Sequence, residues 1–537
     1  MKLQKILLRC FPSLSDFAFL TPAVLLFCLM GGVASMLVDG DTGWHLRAGE
    51  WILTHHQFPT TDFFSFTKAG QPWFAWEWLW EVSFAWLYHL AGMPGVILGN
   101  LVIVCLTSMN LWHLVRRKSK SELAAFGVTV LALFGMSLFF FARPQLASFL
   151  FAVILLRLLE HWRESVHKTP WVVVALLMVW ANVHPGFAAG IIIIAAYAAG
   201  DLASALTTSE PAGRTNSLAL FRRSVLLLVA CLLAALVNPY GYRLYAHIFS
   251  FLSDSYALNH INEYKVVDFR TPFGRIFELM LFLGAPAAIS RLLKRDFVVP
   301  ALFLIWAHLA LTAQRNIPFF LIVMAAPVTL WLEEMIAAFR PAHAEDSIRR
   351  SEDYPHVSPA EVMNEGRVSR FPLLSIICMV WVFVLLRTPG SPPKFRPQYD
   401  SSIYPEQALA AVRRMGPSAR LATTDTWGGY LIFRLYPDVR VFWDGRADFY
   451  GTPYNLAAID ALTGRPGWDK TLANNRITAV LLPVDQPLGS LLAQSNNWHV
   501  VYRDQVAVLF QLASENESGQ EIGNVAESAR TGRLEPR

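Results

Sequence analysis

The sequence has 537 residues, of which 54% are hydrophobic and only 16% are charged. About a quarter of the residues in a soluble domain are charged, so this composition argues against an ordinary soluble protein and indicates extensive contact with lipid. The net charge of +5 is small, and no long basic tract occurs. We therefore expect no nucleic-acid partner.

Apolar stretches recur along residues 1–388, and many of them approach the length of about 20 residues that crosses a bilayer. They predict about eleven transmembrane helices. The predicted spans lie near residues 18–38, 93–115, 122–141, 144–160, 170–183, 186–206, 224–238, 276–293, 297–313, 317–338 and 371–388. The first of them shows no small-residue cleavage site, so we expect a retained span rather than a removed signal peptide.

The loops between these spans alternate in charge, and this alternation predicts the orientation of the chain. With the N-terminus in the cytoplasm, Lys and Arg should be frequent after every second span. The loops that meet this condition contain Arg116, Arg117, Lys118 and Lys120; Arg163 and Lys168; Arg214, Arg222 and Arg223; Arg291, Lys294 and Arg295; Arg340, Arg349 and Arg350. The pattern predicts a multi-pass membrane protein with a cytoplasmic N-terminus. The expected extracytoplasmic parts are 39–92, 142–143, 183–185, 239–275, 314–316 and everything after residue 389.

The sequence divides into a long apolar part and a shorter mixed part. We assign residues 1–388 to a transmembrane bundle, with a large first external loop at 39–92 and a cytoplasmic loop at 339–370. Residues 389–400 form a Pro-rich linker, residues 401–512 a soluble α/β domain, and residues 513–537 a disordered tail. The expected strands are Arg420–Thr424, Val439–Trp443, Thr478–Leu482 and a hairpin of His499–Tyr502 with Val506–Gln511. The predicted fold class is an α-helical polytopic membrane protein with a C-terminal extracytoplasmic α/β domain.

The first external loop opens with two carboxylates, Asp39 and Asp41, directly after a span. Acidic side chains at a membrane boundary are costly unless they face water or a protein cavity, so they indicate a functional site. Asp-x-Asp by itself is only a weak metal signature. The alternative is that the two residues end the span and cap the following helix. That helix carries His45 and is expected to lie in the membrane interface, where interface polarity alone would explain the histidine.

Further polar residues lie at the predicted outer ends of later spans or in the loop 239–275. They are Arg143, Asn182, His184, Glu263, Arg315 and Asn316. Outer ends are usually poor in arginine, so Arg143 and Arg315 indicate either a bound anion or an ion pair with Asp39, Asp41 or Glu263. Taken together, carboxylates and arginines on one side predict a site that activates a nucleophile and holds a phosphate.

The bundle, the first loop opening with Asp39-Gly40-Asp41, its interfacial helices and the trailing soluble domain resemble the C-superfamily of glycosyltransferases (GT-C). Members of this superfamily include protein O-mannosyltransferases and the aminoarabinose transferases of lipid A. The resemblance covers roughly residues 15–340 and depends on architecture more than on a motif. A group of bacterial membrane proteins loosely placed in the same superfamily is similar in the segments 41–47, 315–318, 427–430 and 444–448. This similarity implies that the chain lies in a bacterial inner (plasma) membrane.

The resemblance implies an inverting transfer of a sugar from a polyprenyl-phosphate donor to an extracytoplasmic glycan, lipid or protein acceptor, by a hexosyltransferase type of enzyme. It implies that Asp41 or Asp39 is the general base and that arginines neutralise the departing lipid phosphate. The expected substrate-binding residues are Arg143, His184, Arg315, His45, Asn182, Asn316 and Glu263. A divalent cation, Mg²⁺ or Mn²⁺, is an open alternative with Asp39 and Asp41 as its ligands.

The chain also departs from the superfamily pattern. Some members carry an adjacent acidic pair in a second external loop, whereas Asp254, Glu263 and Asp268 are separated here. In the soluble domain, Asp425, Asp444 and Asp448 would either bind sugar or serve turns and caps. Two other functions stay open: a membrane transporter or flippase, and a non-catalytic envelope assembly protein.

Overall fold

A computed structural model of the chain describes residues 13–164, 170–339 and 395–513. The predicted span 371–388, the cytoplasmic loop after residue 339, the first half of the linker and nearly all of the tail lie outside the described residues. The chain forms two compact units. The helical unit comprises Met1–Val38, Ile52–Phe58 and Ala75–Gln398, and the α/β unit comprises Asp39–Trp51, Pro59–Phe74 and Tyr399–Arg537.

The helical unit confirms the prediction of a mostly helical, multi-span protein. Among the described residues, seven helices are long and apolar enough to cross a membrane: Trp78–Lys118, Glu122–Phe139, Gln145–Glu164, Phe187–Thr207, Pro211–Ala234, Pro272–Leu293 and Gln314–Ala338. Three shorter apolar helices are Leu14–Cys28, Trp171–Val183 and Val298–Thr312. The predicted count of eleven is not confirmed. The helix Leu14–Cys28 is shorter than the predicted first span, because Gly31 and Gly32 adopt positive φ angles beyond its end.

Basic residues of the loops that the sequence places in the cytoplasm pair with acidic side chains on neighbouring helices. Arg163 forms a two-pronged pair with Asp201, with both N–O distances at 2.8 Å. Lys118 pairs with Glu160, and Lys294 lies 2.6 Å from Glu334. Glu160 and Arg163 lie near the end of the 20-residue helix Gln145–Glu164, which is about 30 Å long. Residues that precede this helix therefore belong to the opposite end of the bundle.

The α/β unit contains a four-stranded sheet with the order β1-β2-β4-β3. The strands are β1 (Leu421–Ala422), β2 (Ala479–Pro483), β3 (Trp498–Arg503) and β4 (Ala507–Leu512); β1 and β2 are parallel, and the other pairs are antiparallel. The helices are Leu409–Arg414, Asp425–Leu435, Ala447–Tyr450, Thr452–Leu462, Trp468–Asn474 and Pro487–Gln494. The predicted α/β character is confirmed. The segment predicted as a strand at Val439–Trp443 contributes only isolated bridges through Val441.

The first external loop supplies two segments of the α/β unit. Val441 forms parallel bridges both to Leu421 of β1 and to Ser65 in the first loop. The Phe66 amide donates to the Val441 carbonyl at 3.1 Å, and the Thr67 hydroxyl donates to the Phe442 carbonyl at 2.8 Å. The sequence division, which kept residues 39–92 with the bundle, therefore differs from the compact units of the structure.

A buried ionic network connects the first loop to the rest of this unit. The Arg446 guanidinium donates to both carboxylate oxygens of Asp444 at 2.8 and 2.7 Å, and to Asp62 Oδ1 at 2.8 Å. Tyr450 donates to Asp444 Oδ2 at 2.8 Å. Arg446 is only 3% exposed and Asp444 is fully buried, so each charge depends on its partners for stabilisation. These contacts explain Asp444 as structural rather than sugar-binding.

Candidate functional site

Four short turns of the helical unit bring together several of the predicted substrate-binding residues. Arg143 precedes the helix Gln145–Glu164, and His184 follows the helix Trp171–Val183. Glu263 lies in the 3-10 turn Asn262–Tyr264, and Arg315 lies in the 3-10 turn Gln314–Asn316. We call Arg143, His184, Glu263, Tyr264 and Arg315 the arginine cluster.

The turn Asn262–Tyr264 contacts both arginines of the cluster. Arg143 Nη1 lies 2.9 Å from Glu263 Oε1. The Arg315 guanidinium lies over the Tyr264 ring, 4.4 Å from its centre, which is a cation–π contact. The Gln314 amide donates to the Lys265 carbonyl at 2.9 Å and so holds the two turns side by side. The sequence left open whether Arg143 binds an anion or forms an ion pair, and the structure shows an ion pair with Glu263.

Arg315 differs from Arg143 in its electrostatic partners. Within the described residues, no Asp or Glu forms an ion pair with Arg315, and its contact is the Tyr264 ring. The side chain is partly buried at the end of an apolar helix, Ile317–Ala338, whose residues are buried from Ile317 to Thr329. A guanidinium without a carboxylate partner in such a place favours a bound anion.

His184 is held by a chain of hydrogen bonds that fixes its tautomer. Trp180 Nε1 donates to Ser148 Oγ at 2.7 Å, and Ser148 Oγ lies 2.8 Å from His184 Nδ1. The Gly186 amide also donates to Nδ1, at 3.0 Å. Because Nδ1 accepts this bond, the proton of the neutral ring is on Nε2, which lies 3.5 Å from Glu77 Oε1.

Burial lowers the pKa of His184 well below its usual range, and the nearby charges of Arg315 and Arg143 lower it further. The unfolded chain takes up a proton at this residue below pH about 6.5, whereas the folded chain does not. The stability that depends on the neutral ring is therefore present above pH about 6.5 and is lost as the pH falls below it.

We expect the melting temperature of the wild type, relative to that of His184→Gln, to fall as the pH is lowered from 7.5 to 5.5, a range of about one unit on each side of the unfolded pKa. The measurement is thermal unfolding of both proteins in the same lipid nanodiscs. A difference in melting temperature that stays constant or grows as the pH falls would contradict a neutral His184 in the folded state.

Two predicted ligands, Asn182 and Asn316, use their amide groups to hold the fold together. Asn182 Nδ2 donates to the carbonyls of Met178 and Val237, both at 2.8 Å, while its Oδ1 accepts from Trp78 Nε1 at 2.8 Å. Asn316 Nδ2 donates to the Leu309 carbonyl at 3.0 Å. The side-chain nitrogens of both residues are therefore engaged with backbone carbonyls.

In the α/β unit, the two carboxylates of the first loop lie at the start of the helix Asp41–His55. Asp39 Oδ1 accepts the Asp41 amide at 2.9 Å, and Asp41 Oδ1 accepts from Trp44 Nε1 at 3.1 Å. The next residue, His45, is buried, and its ring centre is 3.6 Å from that of Trp44. The predicted interfacial helix is therefore a packed element at this end, and Asp39 accepts a backbone amide of its first turn, whereas Asp41 accepts an indole hydrogen.

A second helix N-terminus lies against the first. The helix Asp425–Leu435 is capped by Thr424, whose hydroxyl accepts the Trp427 amide at 3.4 Å. Burial raises the pKa of Asp425, and the charge of Asp39 raises it further. Burial also raises the pKa of Tyr399 well above its usual range, and the charges of Asp39 and Asp41 add to this effect. Three carboxylates and a buried tyrosine thus share one region of the α/β unit.

Glycines permit this close approach between the two helices. A methyl group at Gly40 would lie 1.9 Å from the Thr426 carbonyl oxygen, and one at Gly43 would lie 2.3 Å from the Gly429 carbonyl oxygen. Gly428 and Gly429 lie inside the helix Asp425–Leu435. A helical Gly-Gly pair beside buried aromatic residues is the sequence feature that indicates such a contact.

The predicted divalent cation would need further ligands close to Asp39 and Asp41. Among the described residues, neither carboxylate belongs to a group of three metal-ligating side chains close enough to share one ion. Asp41 Oδ1 is also occupied by the Trp44 indole. These two residues by themselves do not make the oxygen-rich site that Mg²⁺ or Mn²⁺ requires, and cation binding stays a prediction.

No protein-family model matches the chain, and no curated protein matches it. Among solved structures, the chain is similar to the archaeal oligosaccharyltransferase AglB from Archaeoglobus fulgidus in complex with an inhibitory peptide and a dolichol-phosphate, with 12% identity, a TM-score of 0.49, and coverage of 94% of this chain and 74% of that one. It is also similar to the Archaeoglobus fulgidus oligosaccharyltransferase in complex with Zn and sulfate, with 13% identity, a TM-score of 0.45, and coverage of 88% and 68%. Similarities of this size carry neither a fold nor an activity over to this chain.

Proposed function

We propose that the chain is an integral-membrane glycosyltransferase. It takes a sugar from a polyprenyl-phosphate donor and transfers it, with inversion, to an acceptor on the extracytoplasmic side. The observation that carries the proposal is Arg315, a cation with no carboxylate partner among the described residues, in a cluster with Arg143 and a neutral His184. A lipid-borne phosphate supplies the negative charge that such a cluster lacks, and its apolar chain suits the surrounding bundle.

In the proposed reaction, an acceptor oxygen attacks the anomeric carbon and forms the new glycosidic bond. The bond from that carbon to the phosphate oxygen breaks, and its electron pair leaves with the lipid phosphate. Arg315 and Arg143 stabilise the charge that develops on this phosphate, an effect that is larger in a site from which water is excluded. The acceptor proton passes to the carboxylate of Asp41 or Asp39, the proposed general base.

His184 has a separate role in this proposal. Its Nε2–H is a hydrogen-bond donor without a positive charge, because burial and the two arginines keep the ring neutral. We assign it to a hydrogen bond with a phosphate or sugar oxygen of the donor. Glu263 balances the charge of Arg143 when no donor is bound, since the two side chains are 2.9 Å apart.

Phosphate binding by Arg315 is tested with the full chain in nanodiscs. Binding of a polyprenyl phosphate is measured by native mass spectrometry for the wild type and for Arg315→Gln. A charge-assisted hydrogen bond contributes about 1.5–3 kcal/mol, so we expect affinity to fall roughly 10- to 100-fold. Transfer from the sugar-loaded donor should fall at least as much, because the same cation stabilises the leaving group.

Arg117→Gln is the matched control, because Arg117 forms an exposed ion pair with Glu164 in a loop predicted to be cytoplasmic. Removing an exposed pair changes stability little, so binding and transfer should be unchanged. Equal affinity in Arg315→Gln and the wild type would remove the arginine cluster from donor binding. Donor binding without transfer would favour a flippase, and the absence of both would favour a non-catalytic assembly protein.

A further inference from the structure

The C-terminal part of the chain contacts the proposed general base directly. A methyl group added to Gly445 would lie 1.9 Å from Asp41 Oδ1 and 2.9 Å from its carboxylate carbon. The Asp41 carboxylate therefore rests against the backbone at Gly445, a position that only a residue without a side chain allows. Asp41 and Gly445 both belong to the α/β unit although they lie far apart in the sequence.

The backbone next to Asp41 packs closely against the helix Asp425–Leu435. A methyl group at Gly429 would lie 2.5 Å from the Gly40 carbonyl oxygen, so residue 40 cannot move towards this helix. Arg47 donates through Nε and Nη2 to the Phe433 carbonyl, at 3.0 and 2.5 Å. This bond ties the first-loop helix to one of the last carbonyls of the helix Asp425–Leu435.

Trp44 contacts the same carboxylate oxygen of Asp41 that lies against Gly445. Its indole nitrogen donates to Asp41 Oδ1 at 3.1 Å, and the Trp44 ring lies edge-on to Trp73, with centres 6.3 Å apart. Trp73 in turn lies over Arg446 of the buried ionic network, 4.8 Å from its guanidinium. Asp41 Oδ1 thus lies against Gly445 and also accepts from an indole that packs, through Trp73, on that network.

We propose that Gly445, together with the helix Asp425–Leu435, positions the Asp41 carboxylate for its role as general base. This inference rests on the proposed function. It assigns the C-terminal segment to the reaction as a positioning element rather than to a separate binding module. General-base catalysis depends on hydrogen-bond reach to the acceptor hydroxyl, and a displacement of about 1 Å can cost about 100-fold in rate.

The test uses Gly445→Ala in the full chain, because this methyl group pushes on the end of a side chain and not on backbone. We expect kcat to fall about 100-fold while the KM for the donor is unchanged. A structure of the variant by electron cryo-microscopy should show the Asp41 carboxylate displaced from the Trp44 indole. Gly489→Ala is the matched control, since its methyl group would be 3.8 Å from the Phe510 ring, an ordinary contact, and its kcat should equal that of the wild type.

A second comparison separates positioning from general disturbance. In an Asp41→Asn background, Gly445→Ala should not lower the residual rate further, because its effect passes through the lost base. The positioning role would be overturned if Gly445→Ala lowered kcat equally in both backgrounds. It would also be overturned if the Asp41 carboxylate were not displaced, or if it were displaced while kcat stayed normal. If the wild-type protein binds the donor but transfers no sugar, the proposed function itself is wrong.

Discussion

Asp41→Asn is expected to lower the rate of sugar transfer by about 100- to 10,000-fold, the usual contribution of a general base. The asparagine retains a side-chain oxygen that can accept the Trp44 indole hydrogen, so the local fold should persist. Its amide cannot take the acceptor proton. The measurement is kcat in nanodiscs with a saturating polyprenyl-phosphate sugar, together with the melting temperature as a check on folding.

Asp39→Asn discriminates between the two candidate bases, because Asp39 accepts the Asp41 amide at 2.9 Å and asparagine can accept it as well. The variant with the larger loss identifies the base. Asp460→Asn is the control, since Asp460 forms an exposed ion pair with Arg465. Normal transfer by both single variants and by the double variant would exclude the first loop from the chemistry.

Asp62→Asn is expected to destabilise the α/β unit by about 3–5 kcal/mol. The change removes one of two carboxylates from Arg446, which is only 3% exposed, and so leaves part of a buried charge uncompensated. The Asp62 carboxylate also accepts the Ser65 hydroxyl at 2.6 Å and the Ser65 amide at 3.0 Å. The effect is measured in the full chain as the denaturant concentration at which the α/β unit becomes sensitive to protease.

Asp485→Asn is the matched control, because Asp485 is exposed, and its melting behaviour should equal that of the wild type. The same network predicts that residues 399–513 do not fold when produced alone. This fragment lacks Asp62 and the first-loop segment around Ser65 that pairs with Val441. A well-dispersed amide spectrum from that fragment would show that the first loop is dispensable for the α/β unit.

The apolar spans could be predicted because their cause is local. A bilayer imposes a run of apolar residues of fixed length on each crossing helix. The helices Gln145–Glu164, Trp171–Val183 and Phe187–Thr207 accordingly begin and end within a few residues of the predicted spans. The turn residues Arg143, His184 and Arg315 could be singled out because charge and polarity are unexpected at such positions.

The partners of those residues could not be predicted, because they depend on contacts between distant segments. Nothing near Arg143 in the sequence distinguishes Glu263 from Asp39 or Asp41 as its ion partner, and the pair forms across 120 positions. The amides of Asn182 and Asn316 suggested ligands, yet packing turns them onto backbone carbonyls. Local composition reports what a side chain can do, whereas packing decides which of its capacities is used.

The sequence by itself determined that this is a multi-span helical protein with a C-terminal α/β part, since hydropathy and residue periodicity are properties of neighbouring residues. Only the tertiary structure decided that segments of the first loop belong to the α/β unit. The joining contacts link Asp62 to Arg446 across 384 positions and bring Gly445 against Asp41. Close backbone approach and buried charge pairing are set by the folded chain in three dimensions, and they leave only isolated glycines and single charges in the sequence.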